Sequence, residues 1–86
     1  MTGGGHAALR VVHVHRPAGR NLLLLTGPRS GRLLTVGDAV VIRTPDGGTH
    51  RTHVRTVEPH TRPGTTTVGV PAEIGDVPAG SLLCPL

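Results

Sequence analysis

Histidine is the residue type with the most capacity for chemistry in this chain: six are present, against one cysteine and five carboxylates. His13 and His15 would share one face of a strand and could provide two ligands to a metal ion. A zinc site needs three or four converging ligands, and no cysteine or carboxylate lies near this pair in the sequence. His50 and His53 would point to opposite faces of a strand. We therefore expect no metal or other cofactor, with a two-histidine edge as the alternative.

Catalytic chemistry has little support in the sequence. Cys84 ends an apolar, strand-like segment, where a thiol is usually buried and unreactive. No motif places a nucleophile on an exposed turn, and the phosphate loop Gly-x-x-x-x-Gly-Lys-Ser/Thr is absent. Asp38, Asp46 and Asp76 adjoin glycines and are interpreted as turn residues whose carboxylates accept hydrogen bonds from nearby backbone N–H groups. We therefore predict that the chain is not an enzyme.

Arginine carries all of the fixed positive charge, since the nine basic residues include no lysine and the net charge is +4. Residues 49–57 alternate cleanly, which predicts one strand with Arg51, His53 and Arg55 on its outer face beside Val57. The opposite face of this predicted strand carries His50, Thr52, Val54 and Thr56. A stripe of cations suits acidic partners such as RNA, whose phosphates arginine can contact. The absence of Phe, Tyr and Trp removes the stacking platform that single-strand binders use.

The elements that must position these residues are short strands. Eighty-six residues form one domain, and thirteen glycines and eight prolines between short apolar runs favour an all-β fold. We expect a flexible leader at residues 1–7 and one domain at residues 8–86. The strands are predicted at residues 8–15, 21–29, 39–44, 49–57, 65–70 and 81–84. Asp46-Gly47 is the strongest hairpin signal, and residues 7–10 or residues 72–74 could form a helical turn.

No apolar run is long enough to cross a membrane, and none follows the N-terminus as a signal peptide requires. A cytoplasmic protein without a membrane partner is the expectation.

The order of the motifs resembles domain 2 of translational GTPases such as elongation factor Tu. The segment Leu-Leu-Thr-Val-Gly-Asp-Ala-Val-Val-Ile at residues 33–42 is similar to the family's central turn and strand, and Thr26-Gly27 precedes it as in the family. Thr-Val-Glu at residues 56–58 resembles the family's Gly-Val-Glu segment. Residues 76–83, Asp-Val-Pro-Ala-Gly-Ser-Leu-Leu, resemble the closing strand. The likeness covers residues 9–86, without the family's GTPase domain.

This resemblance implies a small, closed, antiparallel Greek-key-type barrel of about six strands. It also implies a binding module that contacts RNA, either tRNA or rRNA, or another part of the translation apparatus. In elongation factor Tu the Glu of the matching segment lies beside the terminal adenosine of aminoacyl-tRNA, which corresponds to Glu58 here. His60 and Arg62 lie in the loop that follows, and Arg62 is the candidate phosphate contact. The alternative is a protein-interaction or homo-oligomeric scaffold, with a larger protein or a second copy of the chain as its partner.

Overall fold

Eight short β-strands make up the computed structural model, which describes residues 7–30, 33–58 and 62–86. The prediction of an all-β, antiparallel protein is confirmed, with more and shorter strands than the six expected. Of the two helical turns that the sequence allowed, the one at Ala72–Ile74 is present as a 3₁₀ turn, whereas Leu9–Arg10 forms strand β1. The strands are β1 (Leu9–Arg10), β2 (His13–His15), β3 (Leu22–Pro28), β4 (Ala39–Arg43), β5 (Thr49–His53), β6 (Thr56–Glu58), β7 (Thr65–Pro71) and β8 (Leu82–Pro85).

The strands form two four-stranded antiparallel sheets. The first sheet, which we call sheet A, has the order β1-β8-β4-β5, and sheet B has the order β2-β3-β7-β6. Alternate residues of β3, β4 and β7 point into one shared apolar core, to which β1 and β8 each contribute a leucine. Because the chain has no aromatic residue, aliphatic side chains fill this core. Its fully buried members are Leu9, Val11, Leu23, Leu25, Val40, Ile42, Val54, Val68, Val70 and Leu83.

The first predicted strand, residues 8–15, is not continuous, which corrects the sequence prediction. β1 pairs with β8 in sheet A, whereas β2 pairs with β3 in sheet B. Between them the N–H of Val12 donates to the carbonyl of Thr26 at 2.8 Å, although Thr26 already lies opposite His13. Two residues therefore oppose one, which is a β-bulge, and a bulge bends a strand and increases its twist. The bend lets one stretch of chain leave sheet A and enter sheet B.

The predicted strand at residues 49–57 is divided in the same way, and this too corrects the sequence prediction. β5 belongs to sheet A and β6 to sheet B. The N–H of Arg55 donates to the carbonyl of Gly69 at 2.7 Å, and Gly69 is also the partner of Thr56. This second bulge shifts the alternation by one residue. Val57 consequently pairs with buried Val68 and does not continue the face that carries Arg55.

Two of the turns that the sequence indicated are fixed by hydrogen bonds. At residues 35–38 the N–H of Thr35 donates to the Asp38 carboxylate at 2.9 Å, and Gly37 has a φ of 95°. The N–H of Gly37 then donates to the carbonyl of Val54 at 2.8 Å, which attaches this turn to the second bulge. The β4–β5 hairpin turns at Asp46-Gly47 as predicted, with Gly47 at a φ of 94°.

The pKa of the Asp46 carboxylate, which lies in this hairpin, is lowered. The hydroxyl of Thr44 donates to it and lowers its pKa below the ordinary value of 3.8, and the N–H of Gly48, 3.1 Å away, adds to the effect. Since the pKa in the folded state lies below that of the unfolded chain, ionised Asp46 stabilises the folded protein above about pH 3.8. This contribution is lost as the pH falls through the lower, folded-state pKa.

We predict that Thr44→Val raises the pKa of Asp46 toward its ordinary value, because the hydroxyl that stabilises the ionised form is removed. NMR titration of the Asp46 carboxyl carbon measures the midpoint. Thr49→Val, also in the hairpin, keeps the Thr44 hydroxyl and should retain the wild-type midpoint. An unchanged midpoint in Thr44→Val would contradict the assignment.

Some of the sequence predictions fall on residues that the structure does not describe. These are most of the leader predicted at residues 1–7, and His60. Ala7 is described, and its carbonyl accepts a hydrogen bond from the Ser30 hydroxyl at 2.8 Å.

Cys84 is a free thiol and is buried, as predicted. Within the described ranges, no helix combines the length and the apolar character needed to cross a membrane.

Candidate functional site

The three residues of the predicted stripe, Arg51, His53 and Arg55, are all at the surface, although the strand predicted to carry them is divided. Arg51 and His53 lie on β5, and Arg55 lies in the bulge that follows; all three side chains are exposed. The alternation predicts this correctly up to the bulge, since Val54 between them is fully buried. In the part of the chain that the structure describes, neither Arg51 nor Arg55 forms an ion pair.

Two further arginines lie on the same outer face of sheet A, and sequence reasoning missed both. Arg10 of β1 pairs with Leu82 of β8, and Leu82 pairs in turn with Arg43 of β4. Directly paired residues of neighbouring strands point to the same face of a sheet. Arg51 belongs to the adjacent row, since it pairs with Val41 and Val41 pairs with Cys84. We call the surface formed by Arg10, Arg43, Arg51 and His53 the basic face.

The register of sheet A is what assembles the basic face. Arg10 and Arg43 are exposed and make no ion pair among the residues that the structure places. The only signal for them in the sequence is that each adjoins a buried core residue, Leu9 or Ile42, which turns the arginine outward. That signal predicts exposure, but it does not predict which exposed residues become neighbours.

Two of the five carboxylates are paired with arginines outside the basic face. Asp76 pairs with Arg16 at 3.6 Å, and Glu58 pairs with Arg20 at 3.7 Å. Glu73 lines a cavity of about 230 Å³ together with Arg51 and His53, while Asp38 and Asp46 lie just before and just after β4. The arginines of the basic face are therefore distinguished by forming no ion pair within the described ranges.

Glu58 and Arg62 occupy a different place from the stripe. Both line a groove of about 430 Å³ that also includes Arg29. The Glu58 carboxylate already has two partners within the protein, the Arg20 guanidinium and the Thr56 hydroxyl, the latter at 3.3 Å. The predicted site residues thus form two groups, one on sheet A and one at the end of the β6–β7 connection.

The histidines do not converge in the described structure. His13 and His15 are exposed on β2, while His50 is half-buried and His53 is exposed on β5. Among the described residues, no three His, Cys, Asp or Glu side chains lie close enough together to hold a metal ion. The exposed arginines, by contrast, are suited to binding anions.

Comparison with known proteins adds no relative to this description. No family model, curated protein or solved structure matches the chain. The likeness to domain 2 of translational GTPases therefore rests on the sequence motifs alone.

Proposed function

We propose that this protein is a non-enzymatic binding module that contacts RNA, in the manner of the β-barrel domain of translation elongation factors. The observation that carries the proposal is the set of exposed arginines on one face of sheet A, Arg10, Arg43 and Arg51, which form no ion pair with any residue that the structure describes. An arginine left without a carboxylate keeps all of its guanidinium donors for a ligand, and phosphate is the anion that this fork matches best. RNA is the abundant ligand that presents phosphates in a continuous array.

The connections between the sheets support the barrel that the resemblance implies. β1 runs into β2 through one bulge, and β5 runs into β6 through the other. If β1 and β2 are counted as one bent strand, and β5 and β6 as another, six strands remain. Each of the six then has two hydrogen-bonded neighbours, which closes a ring. The order around this ring is β1/β2, β8, β4, β5/β6, β7 and β3. We infer from this order that the fold is a closed six-stranded barrel with two bent corners.

The residues carried over from the translation-factor likeness form the second part of the proposal. Glu58 and Arg62 share a groove, which is where an RNA end would contact the module. Glu58 would then have to exchange its Arg20 partner for the ligand, because its carboxylate is already paired. His60 completes this set in the sequence. The groove is the secondary contact, and the arginines of sheet A supply most of the affinity.

Binding of tRNA at several salt concentrations tests the proposed function. We expect wild-type protein to bind at low salt and to lose affinity steeply as salt rises, because each phosphate contact releases counterions. The double variant Arg51→Ala/Arg55→Ala should bind about tenfold more weakly and lower the slope of log K against log salt by about 1.5. Fluorescence anisotropy of labelled tRNA measures both quantities.

The matched control is Arg16→Ala/Arg20→Ala, which removes the same net charge from two arginines that are ion-paired within the protein. This variant should bind tRNA almost as well as the wild type. Equal losses in both double variants would show that net charge alone governs binding and would reject the stripe as the site.

An interaction scaffold is the competing function, and exposed aliphatic side chains favour it. Leu33, Val36 and Leu86 are 60%, 65% and 66% exposed, which is high for large apolar residues. Measurement of the solution mass beside the RNA titration separates the two functions. A dimer that binds no RNA at low salt would favour the scaffold, and a monomer that binds RNA would favour the module.

A further inference from the structure

We propose that the basic face binds the phosphate backbone of double-helical RNA, with Arg10 and Arg43 as principal contacts. This inference rests on the proposed RNA binding and specifies which form of RNA is bound and through which residues. It moves the centre of the interface from β5 alone to the whole width of sheet A.

The arrangement of the arginines carries the first step. Neighbouring strands lie about 4.8 Å apart, and Arg10 and Arg43 flank β8 in one cross-strand row, so their Cα atoms are separated by about 10 Å. Arg51 lies in the next row, on the strand beyond Arg43. The charges therefore occupy a two-dimensional patch. A single line of cations would instead suit the phosphate backbone of single-stranded RNA. A double helix presents phosphates from two strands across a groove, which is a patch of the same kind.

The composition of the face carries the second step. Side chains between the arginines are aliphatic or small: Leu82 is partly exposed at 37%, and Cys84 is buried. With no Phe, Tyr or Trp in the chain, this face offers an unpaired base only the imidazole of His53 and the guanidinium planes of the arginines to stack on. Bases that are already paired and stacked need no such platform. A ligand held by its backbone, with its bases inside a duplex, therefore fits this face better than single-stranded RNA does.

The accessibility of the arginines carries the third step. Arg10, Arg43 and Arg51 are all exposed and form no ion pair within the described ranges. A flat duplex surface can thus approach all of them at once without first breaking a contact within the protein. Arg16 and Arg20, which are equally basic, are each paired with a carboxylate.

The experiment compares an RNA duplex of about 16 base pairs with one of its own strands, chosen to be unstructured. We expect wild-type protein to bind the duplex about tenfold more tightly than the single strand. Arg10→Ala/Arg43→Ala should weaken duplex binding about tenfold and lower the salt slope by about 1.5. Arg16→Ala/Arg20→Ala, with the same net charge, should bind the duplex like the wild type.

Three outcomes decide the matter. If the single strand binds as tightly as the duplex, or if the Arg10/Arg43 variant binds like the wild type, the inference is wrong while RNA binding itself stands. If wild-type protein binds neither RNA at low salt, the proposed function fails as well. Thermal unfolding followed by circular dichroism confirms that the variants are folded, and Arg10→Gln/Arg43→Gln replaces any alanine variant that is not.

Discussion

Replacement of Gly27 by alanine is expected to destabilise the protein by about 3 kcal/mol or more. A Cβ atom at Gly27 would lie 1.7 Å from the carbonyl oxygen of Arg10 and 2.8 Å from its carbonyl carbon. Both atoms belong to the backbone of Arg10, at the first corner, where β1 bends into β2. No side-chain rotation can therefore relieve the overlap. The corner would have to move away from β3, and the hydrogen bond from Val12 to Thr26 would be strained or lost.

Gly19→Ala is the matched control for this substitution. Gly19 has a φ of 76°, but no atom lies within 4 Å of the position of its missing Cβ. Alanine at this position should cost only the conformational strain of the left-handed region, about 1 kcal/mol. Chemical denaturation followed by far-UV circular dichroism measures both variants, since the chain has no aromatic fluorophore. Equal losses in the two variants would show that the first corner does not pack closely against β3.

Leu25→Ala is expected to destabilise the protein by about 2–5 kcal/mol, because it removes a fully buried side chain from the centre of the core. Leu25 pairs with Val68 on β7 and with Val14 on β2. With only aliphatic side chains in the core, no large ring is available to move into the cavity. The lost transfer energy and the cost of the cavity should therefore add.

Its control is the adjacent residue, Leu24, which is the same residue type on the opposite face of the same strand. Leu24 is half-buried and lies over Gly69 on the outer side of sheet B. Leu24→Ala should cost about 1 kcal/mol, since part of its surface is already in contact with solvent and water can fill the space that the side chain leaves. The same denaturation experiment applies, and a larger loss for Leu24→Ala than for Leu25→Ala would show that the inner and outer faces of β3 have been assigned the wrong way round.

The local signals in the sequence predict local structure well. Asp46-Gly47 and Gly37-Asp38 form the turns expected of them. In each pair the aspartate carboxylate accepts a backbone hydrogen bond and the glycine adopts a positive φ. The free, buried Cys84 follows from its being the one cysteine of the chain and from its apolar neighbours in the sequence. These features depend on contacts between residues close together in the chain.

The two bulges are what sequence patterning failed to predict. Residues 8–15 and 49–57 alternate as single strands would, and a bulge changes the alternation at only one position. The position is chosen by a carbonyl on another strand, that of Thr26 or Gly69, which accepts the additional N–H group. A carbonyl distant in sequence leaves no local pattern. This is why the predicted alternation does not extend to Val57, which pairs with buried Val68 although it is itself 38% exposed.

The candidate site shows the same limit. Alternation along one strand predicts that Arg51, His53 and Arg55 are exposed together, and the structure places them so. Arg10 and Arg43 become neighbours of this group only because β8 pairs with both β1 and β4.

The sequence by itself thus determined an all-β chain, its main turns, its aliphatic core and a surplus of exposed arginine. These properties follow from the backbone freedom of glycine, the period of two along a strand, and the composition. Only the tertiary structure decided where the strands bend between sheets and which arginines share a face. Strand order and register join residues far apart in the chain through backbone hydrogen bonds, and every peptide unit offers the same donor and acceptor whatever its side chain.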